Sequence, residues 1–309
     1  MSQDKQKVVV ITGPTAVGKS SLAIDLAIRF GGEVVNADSM QVYRGMDVGT
    51  AKTRVEERRG VSHHLLDVVD PDEEFNAAIF RRLSLPVLTE TRDRGNIGFV
   101  VGGTGLYIKA LLGGLLYCPE PDPQLRLELQ GICEQEGTEV LHQQLRLLDP
   151  GAAEKIHPND RVRIIRALEI MHSAKESLSS LMQDHAFKDR SFDSIKICLH
   201  REREDLYHRI NQRCACMLEE GLIQEVEGLL KKGYASHLKP MQSIGYRHAL
   251  HYLEGKWDTE ETLSQLRRDT RRYAKRQLTW FRADPEMIWL APGEKGEIAH
   301  RIHSFLERP

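Results

Sequence analysis

Residues 13–20 read Gly-Pro-Thr-Ala-Val-Gly-Lys-Ser: a glycine, four residues, then Gly-Lys-Ser, the spacing of a phosphate-binding loop. The flanks satisfy what such a loop requires. Lys7 to Thr12 is a β-branched run suited to a buried parallel strand, and Ser21 to Phe30 sets Leu22, Ala23, Leu26, Ala27 and Phe30 at helical spacing. Strand, glycine turn and helix together predict an α/β fold with a parallel sheet. Gly13 and Gly18 let the backbone of Pro14, Thr15, Ala16 and Val17 curl so that N–H groups converge on an anion, and the helix N-terminus adds partial positive charge. Lys19 adds a full charge, and the Ser20 hydroxyl is a candidate Mg²⁺ ligand. The loop binds a polyphosphate; its use must be read elsewhere.

Charge narrows the partner. The 309 residues carry a net charge of −2, which alone argues against nucleic acid. The halves differ, however: residues 1–160 hold 17 Lys/Arg against 23 Asp/Glu, and residues 161–309 hold 26 against 22. Arg267 to Arg282 gathers Arg267, Arg268, Arg271, Arg272, Lys275, Arg276 and Arg282 around one acid, Asp269. A basic patch on an acidic chain marks an anionic surface as partner. The five cysteines, 118, 133, 198, 214 and 216, include no Cys-x-x-Cys pair, so neither zinc nor a local disulfide is expected. Met1 to Lys7 is polar, and no apolar run reaches the ~18–20 residues that span a bilayer. A reduced, cytoplasmic chain with no membrane partner is expected.

The remaining segments place candidates around the loop. Glu33 to Ala37 reads as a second strand with Asp38 at its carboxyl end, where parallel sheets bind ligands. Asp38 is equally a turn or helix-cap residue by type. His63 to Val68 suggests a short strand, and Glu73 to Arg94 a helix broken or kinked near Pro86. Asn96 to Val101 is a strand that ends in Gly102-Gly103-Thr104-Gly105 where a nucleotide hydrolase would carry a metal-binding aspartate. These glycines either admit a ligand close to the backbone, with Thr104 bonding to it, or make a tight turn. Gln124 to about 187 is helical in pattern, predicting an all-α insertion over 119–193 between core segments 1–118 and 194–309. Within it Asp160 caps a helix on which Arg163 and Arg166 share an outer face, either solvated or set against phosphates. Ser194 to His200 alternates like a strand. In the helix from about Asp205, Arg209 and Arg213 stand at i,i+4, a repulsive pair that a bound diphosphate would reverse. Asp205 can pair with Arg209, which makes Arg213 the better candidate. A basic helix from about Thr259 to Arg282 is expected to bury Leu263, Leu266, Tyr273, Trp280 and Phe281.

Taken in order, Gly13–Ser20, Asp38–Lys52, Gly102–Tyr107, His157–Asp160 with Arg166–Glu169, Ile244–Arg247 and Thr270–Arg282 resemble the tRNA dimethylallyltransferases, also called tRNA isopentenyltransferases, nearly end to end. Serine at 20, where threonine is common, is a mild departure that keeps the hydroxyl. The resemblance implies a P-loop NTPase-like core with an α-helical insertion. It also implies transfer of a dimethylallyl group from dimethylallyl diphosphate to N6 of the adenine just 3′ of the anticodon. The expected roles follow: Asp38 as general base, Thr104 orienting the adenine or the base, and Arg213, Lys19 and Ser20-bound Mg²⁺ on the diphosphate. The tRNA anticodon stem-loop would be contacted by Asp38, Ser39, Met40, Gln41 and Thr104, and by Arg126, Val162, Arg163, Ile164, Ile165 and Arg166. Further contacts would come from Gln242, Ser243, Ile244, Gly245, Tyr246 and Arg247, and from the 270–277 segment with Arg271, Arg272, Lys275 and Arg276. No protein partner is called for. Two other readings stand against this one. An adenylate isopentenyltransferase needs neither insertion nor basic helix, and a small-molecule kinase would keep the missing acid.

Overall fold

The computed structural model describes residues 5–115, 122–174, 177–180 and 191–308. The chain forms two compact units, Met1–Leu112 with Ser191–Pro309, and Gly113–Arg190. The expected first boundary, at 118/119, lies outside the described residues.

The first unit is built on six parallel strands in the order β3-β2-β4-β1-β5-β6. These are β1 Gln6–Thr12, β2 Gly32–Asn36, β3 His63–His64, β4 Ile97–Val101, β5 Phe192–Leu199 and β6 Ile288–Leu290. Val8 to Ile11 are fully buried because β1 has a strand on each edge and helices on both faces, which is why its sequence is apolar without alternation. The third strand is shorter than expected. After His64, Leu65 and Asp67 take left-handed φ angles of 60° and 54°, which turn the chain out of the ladder.

Helix α1 (Lys19–Phe30) follows the loop and buries Leu22, Ala23, Leu26 and Ala27 against the sheet. Helix α2 spans Ala77–Asp93, and Asn76 caps it by accepting from Ala78 and Ile79 N–H, both at 3.0 Å. It runs through Pro86 unbroken, which of the expected break or kink excludes the break. Pro86 and Arg82 both lie on the exposed face, so water can satisfy the carbonyl that proline leaves unbonded. Helix α3 is Gly105–Gly113.

The Gly113–Arg190 unit contains α4 Pro123–Glu136, α5 Thr138–Leu148, α6 Pro150–Lys155 and α7 Arg161–Ala174. They pack Leu129, Leu141, Leu145, Ile164 and Leu168 into a core of their own. The first unit resumes with α8 Arg203–Glu219, α9 Leu222–Lys231, α10 Tyr246–Leu253, α11 Thr259–Arg282 and α12 Lys295–Leu306. No helix among the described residues is long and apolar enough to cross a membrane.

A buried carboxylate fastens the amino ends of β2 and β4. Glu33 accepts from Arg94 Nε and Nη2 at 2.9 and 2.8 Å and from Asn96 Nδ2 at 2.7 Å, with His64 Nε2 at 2.6 Å. Arg94 above all, then Asn96 and His64, outweigh the cost of burial and hold this carboxyl at about 2, below its usual 4.5. A depressed value in the folded state stabilises above about pH 4.5 and is lost as pH falls towards 2. Glu33→Gln is therefore expected to lower unfolding free energy by about 1–3 kcal/mol at pH 7. In urea melts the gap from wild type should shrink steadily between pH 4.5 and pH 3.

Candidate active site

The carboxyl ends of β1, β2 and β4 open on a cavity of about 370 Å³. Lys19, Ser20, Asp38, Arg209, Arg213 and Tyr273 all line it. Asp38 and Lys19 meet there although β4 separates β2 from β1. That intervening strand ends in glycine, and a Cβ on Gly102 would come within 2.1 Å of the Ala37 carbonyl oxygen. The bare backbone of Gly102 and Gly103 is what lets the loops after β1 and β2 share one mouth.

The phosphate loop is bent hard, with φ of 138° at Gly13, 64° at Ala16 and 108° at Gly18. Gly13 admits no side chain, since its Cβ would lie 2.5 Å from the Leu199 carbonyl oxygen. Consecutive residues of the loop are each gripped by a side chain. Lys19 Nζ donates to Gly13 and Pro14 O at 3.0 and 2.8 Å, and Thr15 N–H donates to Gln277 Oε1 at 2.8 Å. Arg209 Nε donates to Ala16 O at 2.9 Å and Arg201 Nε to Val17 O at 3.0 Å. Burial lowers the Lys19 ammonium to about 8; Asp38 opposes that shift and Arg213 adds to it. Arg213 is itself lowered by burial, with Asp38 again opposing, and its Nη2 donates to Thr50 O at 3.1 Å.

Asp38 Oδ1 accepts from Met40 N–H at 2.9 Å, which fixes the carboxylate in a tight turn; among the described residues Oδ2 has no hydrogen bond. Thr104 braces the same turn. Its hydroxyl accepts from Ser39 N–H at 3.0 Å, and its own N–H donates to Ala37 O at 3.2 Å. Gln41 donates from Nε2 to Thr50 O at 3.2 Å and Ala51 O at 3.4 Å, so the 38–41 collar is tied at Ser39 to Thr104, at Met40 to Asp38 and at Gln41 to residues 50–51. Among the described residues no group of three or more His, Cys, Asp or Glu can hold a metal ion. The hydroxyl of Ser20 on the cavity wall suits Mg²⁺, which takes few protein ligands and completes its shell with phosphate oxygens and water. Cys198, close to Lys19, is pushed up to about 12 by burial and stays an inert thiol.

Several expected site residues are placed differently. Asp205 pairs with Arg201 at 2.7 Å, not with Arg209, which leaves Arg209 on the cavity wall beside Arg213. Tyr246 is fully buried with its hydroxyl on Glu225 at 2.6 Å, so its side chain supports the fold and cannot meet RNA. Gly245 is buried beside it with a φ of 97°; Gln242 is exposed, and Ser243, Ile244 and Arg247 are half-buried. Glu225 also accepts from the N–H groups of Asp47, Val48 and Gly49, so the Ile244–Arg247 motif anchors the 47–49 turn. Ile164 and Ile165 point into the helical unit's own core, while Val162 is 78% exposed beside Arg163. Arg126 forks onto the buried carboxylate of Glu169 at 2.6 and 2.7 Å, and Arg166 reaches it at 3.3 Å.

On α11 the buried side is Thr262, Leu266, Thr270, Ala274, Gln277 and Phe281. Trp280 is 40% exposed, correcting the apolar stripe, and its indole lies over Gly105, where a Cβ would come within 2.1 Å. The stripe missed polar residues that are buried because they are bonded. Arg271 is half-buried and donates from Nη1 to Asn211 Oδ1 at 2.8 Å; Arg272, Lys275 and Arg276 are exposed. Gln277 was legible only as part of a basic segment; its partners lie 262 and 174 residues away.

A phosphate loop faced by a carboxylate, with no acid at the end of β4, defines a phosphate-loop group transferase and not a nucleotide hydrolase. Comparison with known proteins gives the particular family. The family model described as IPP transferase matches residues 41–284, and the one described as isopentenyl transferase matches residues 6–75. The chain is 51% identical over 304 residues to tRNA dimethylallyltransferase 2 of Geotalea uraniireducens (strain Rf4), covering 98% of each. It is 51% identical over 286 residues to tRNA dimethylallyltransferase of Geobacter sulfurreducens, covering 93% of this chain and 92% of that one. The crystal structure of full-length tRNA isopentenylpyrophosphate transferase from Bacillus halodurans is 42% identical, with a TM-score of 0.73 over 98% of this chain and 97% of that one. A eukaryotic dimethylallyltransferase captured acting on tRNA is 32% identical, with a TM-score of 0.80 over 93% of this chain and 74% of that one. The chain belongs to the tRNA dimethylallyltransferase family, on the P-loop NTPase-like core that family shares.

The value of about 8 for Lys19 has a direct consequence. As pH rises through 8 the ammonium loses its charge, so diphosphate affinity should fall by up to about tenfold per pH unit above that point. In calorimetric titrations with magnesium diphosphate, Lys19→Arg, whose charge does not titrate there, should show a shallower decline between pH 7.5 and 9.

Proposed function

We propose that this protein transfers a dimethylallyl group from dimethylallyl diphosphate to N6 of the adenine 3′-adjacent to the anticodon, position 37, of tRNA. The observation that carries this reading is the sharing of one cavity by the carboxylate of Asp38 and the cations Lys19 and Arg213. In the reaction the allylic C–O bond breaks, its electron pair leaves on the diphosphate, and the C–N6 bond forms as Asp38 takes a proton from the amine. An aromatic amine is a weak nucleophile because its lone pair is delocalised, so this proton transfer contributes ~10²–10⁴-fold.

Lys19, Arg213 and the N–H groups of the loop stabilise the departing charge. Mg²⁺ held through Ser20 and the donor's own oxygens would add Lewis-acid stabilisation of the leaving diphosphate. Thr104 positions the general base by holding the Asp38 turn, and its hydroxyl, which accepts from Ser39, keeps its proton for a ligand in the cavity. Drawing the adenine into the cavity costs a few kcal/mol of unstacking, offset by contacts at the 38–41 collar and along α11. Arg272, Lys275 and Arg276 take backbone phosphates, and Arg271 shapes the same surface from its place on Asn211. On the helical unit Arg126, Arg163 and Arg166, with exposed Val162 beside them, supply a second phosphate-contacting face; Ile164 and Ile165 hold that face together from inside.

The decisive experiment incubates purified protein with labelled dimethylallyl diphosphate and either tRNA or AMP. Label is expected in tRNA; label in AMP alone would make the protein an adenylate isopentenyltransferase. Asp38→Ala should keep tRNA affinity while single-turnover transfer falls at least ~10²-fold; near-normal turnover removes it as base. Lys275→Ala should weaken tRNA binding and flatten its dependence on log salt by roughly one unit or less, measured by filter binding from 50 to 200 mM salt.

A further inference from the structure

Gln277 does not carry the charge its neighbours on α11 carry, and it is not part of the proposed proton transfer. Yet it is buried, with both ends of its amide engaged. Oε1 accepts from Thr15 N–H of the phosphate loop at 2.8 Å, and Nε2 donates to Gly103 O at 2.9 Å. Gly103 has no room for a side chain because of it, since a Cβ there would lie 2.2 Å from Nε2. One amide thus bridges the loop after β1 to the loop after β4. Lys19 belongs to the loop itself, and Arg201 and Arg209 grip it from the segment that opens α8; Gln277 reaches it from the helix that also carries Arg272, Lys275 and Arg276.

Resting on the reading that α11 meets tRNA, we infer that Gln277 is a positioning residue that couples RNA binding to the shape of the diphosphate loop. Lys275, Arg276 and Gln277 share one turn of one continuous helix, so a shift that seats the cations on phosphates carries the Gln277 amide with it. A hydrogen bond tolerates only a few tenths of an ångström and a limited change of angle before it weakens. The loop is strained at Ala16, so its resting geometry depends on such outside restraints. Two ligands that both act through this amide cannot bind independently, and by linkage each must change the other's affinity by the same factor.

The test uses the full-length protein, inorganic diphosphate with Mg²⁺ as probe, and a tRNA anticodon stem-loop. Calorimetry gives the diphosphate Kd with and without the stem-loop. In wild type the stem-loop is expected to tighten diphosphate at least about threefold, within the usual range of coupling. Gln277→Met keeps volume and removes both bonds. It should weaken diphosphate about tenfold, the loss of one to two buried hydrogen bonds, and abolish the tightening. Gln277→Glu keeps an acceptor for Thr15 but sets a carboxylate against Gly103 O and near the diphosphate, so it should bind diphosphate more weakly than Gln277→Met. A purely structural role would lower the melting temperature and leave the ratio of the two Kd values intact.

Absence of tightening in wild type, or Gln277→Met retaining the wild-type ratio, overturns the inference. Should Gln277→Met fail to fold, Gln277→Leu, which also removes both bonds, decides by the same ratio. Prenyl transfer by the same wild-type sample is scored separately. A protein that transfers label without coupling refutes only the role of Gln277, and one that couples without transferring refutes the proposed function.

Discussion

A phosphate loop must turn its N–H groups inward against the preferences of an L-chain, and something has to hold it there. Here left-handed φ at Ala16, whose carbonyl Arg209 holds, stands between Thr15 and Val17, which are held by Gln277 and Arg201 from outside the turn. Those side chains come from α11, from α8 and from the residues just before α8, so the cradle is a product of the fold's second half as much as of its own eight residues. Preorganised in this way, its dipoles need not rearrange as charge develops on a leaving group, which is where an electrostatic site gains most over water.

The opposing carboxylate is positioned by equally indirect means. Asp38 sits two strands from the loop it serves, and the gap is bridged by a strand end without side chains. Thr104 ties that strand end to the Asp38 turn, and Gln277 ties it to the cradle. The Asp38 turn, the phosphate loop and the basic helix therefore meet around Gly102, Gly103 and Thr104. Burial lowers both cations nearby, Arg213 lowers Lys19 further, and Asp38 opposes the shift in each.

Much of this was legible because local patterns carry it. The β-branched run of β1, the glycine spacing and the apolar stripe of α1 are each decided within a dozen residues. That Asp38 would lie near the phosphate loop was legible from its place at a strand end, and that Arg213 would face the same cavity from its spacing to Arg209. What escaped depends on partners far along the chain. Asp205 has an arginine four residues to either side; helix rules favour the later one, but Ala16 O draws Arg209 away and Arg201 closes the pair. Tyr246 read as an accessible aromatic until Glu225 claimed its hydroxyl. Thr262, Thr270 and Gln277 are polar residues on a buried face, invisible to a count of apolar positions. That the helix continues through Pro86 follows from the exposure of that face, which is a tertiary fact.

The glycine that closes β4 also sets a boundary on what this scaffold can become. Installing an acidic ligand at residue 102 would drive its first carbon into the Ala37 carbonyl and carbon, at 2.1 and 2.2 Å, both rigid main chain. No rotamer relieves that collision; the two neighbouring strands would have to spread. A metal-binding acid at this spot is thus closed to single substitutions by sterics alone, a limit set by the spacing between two backbones.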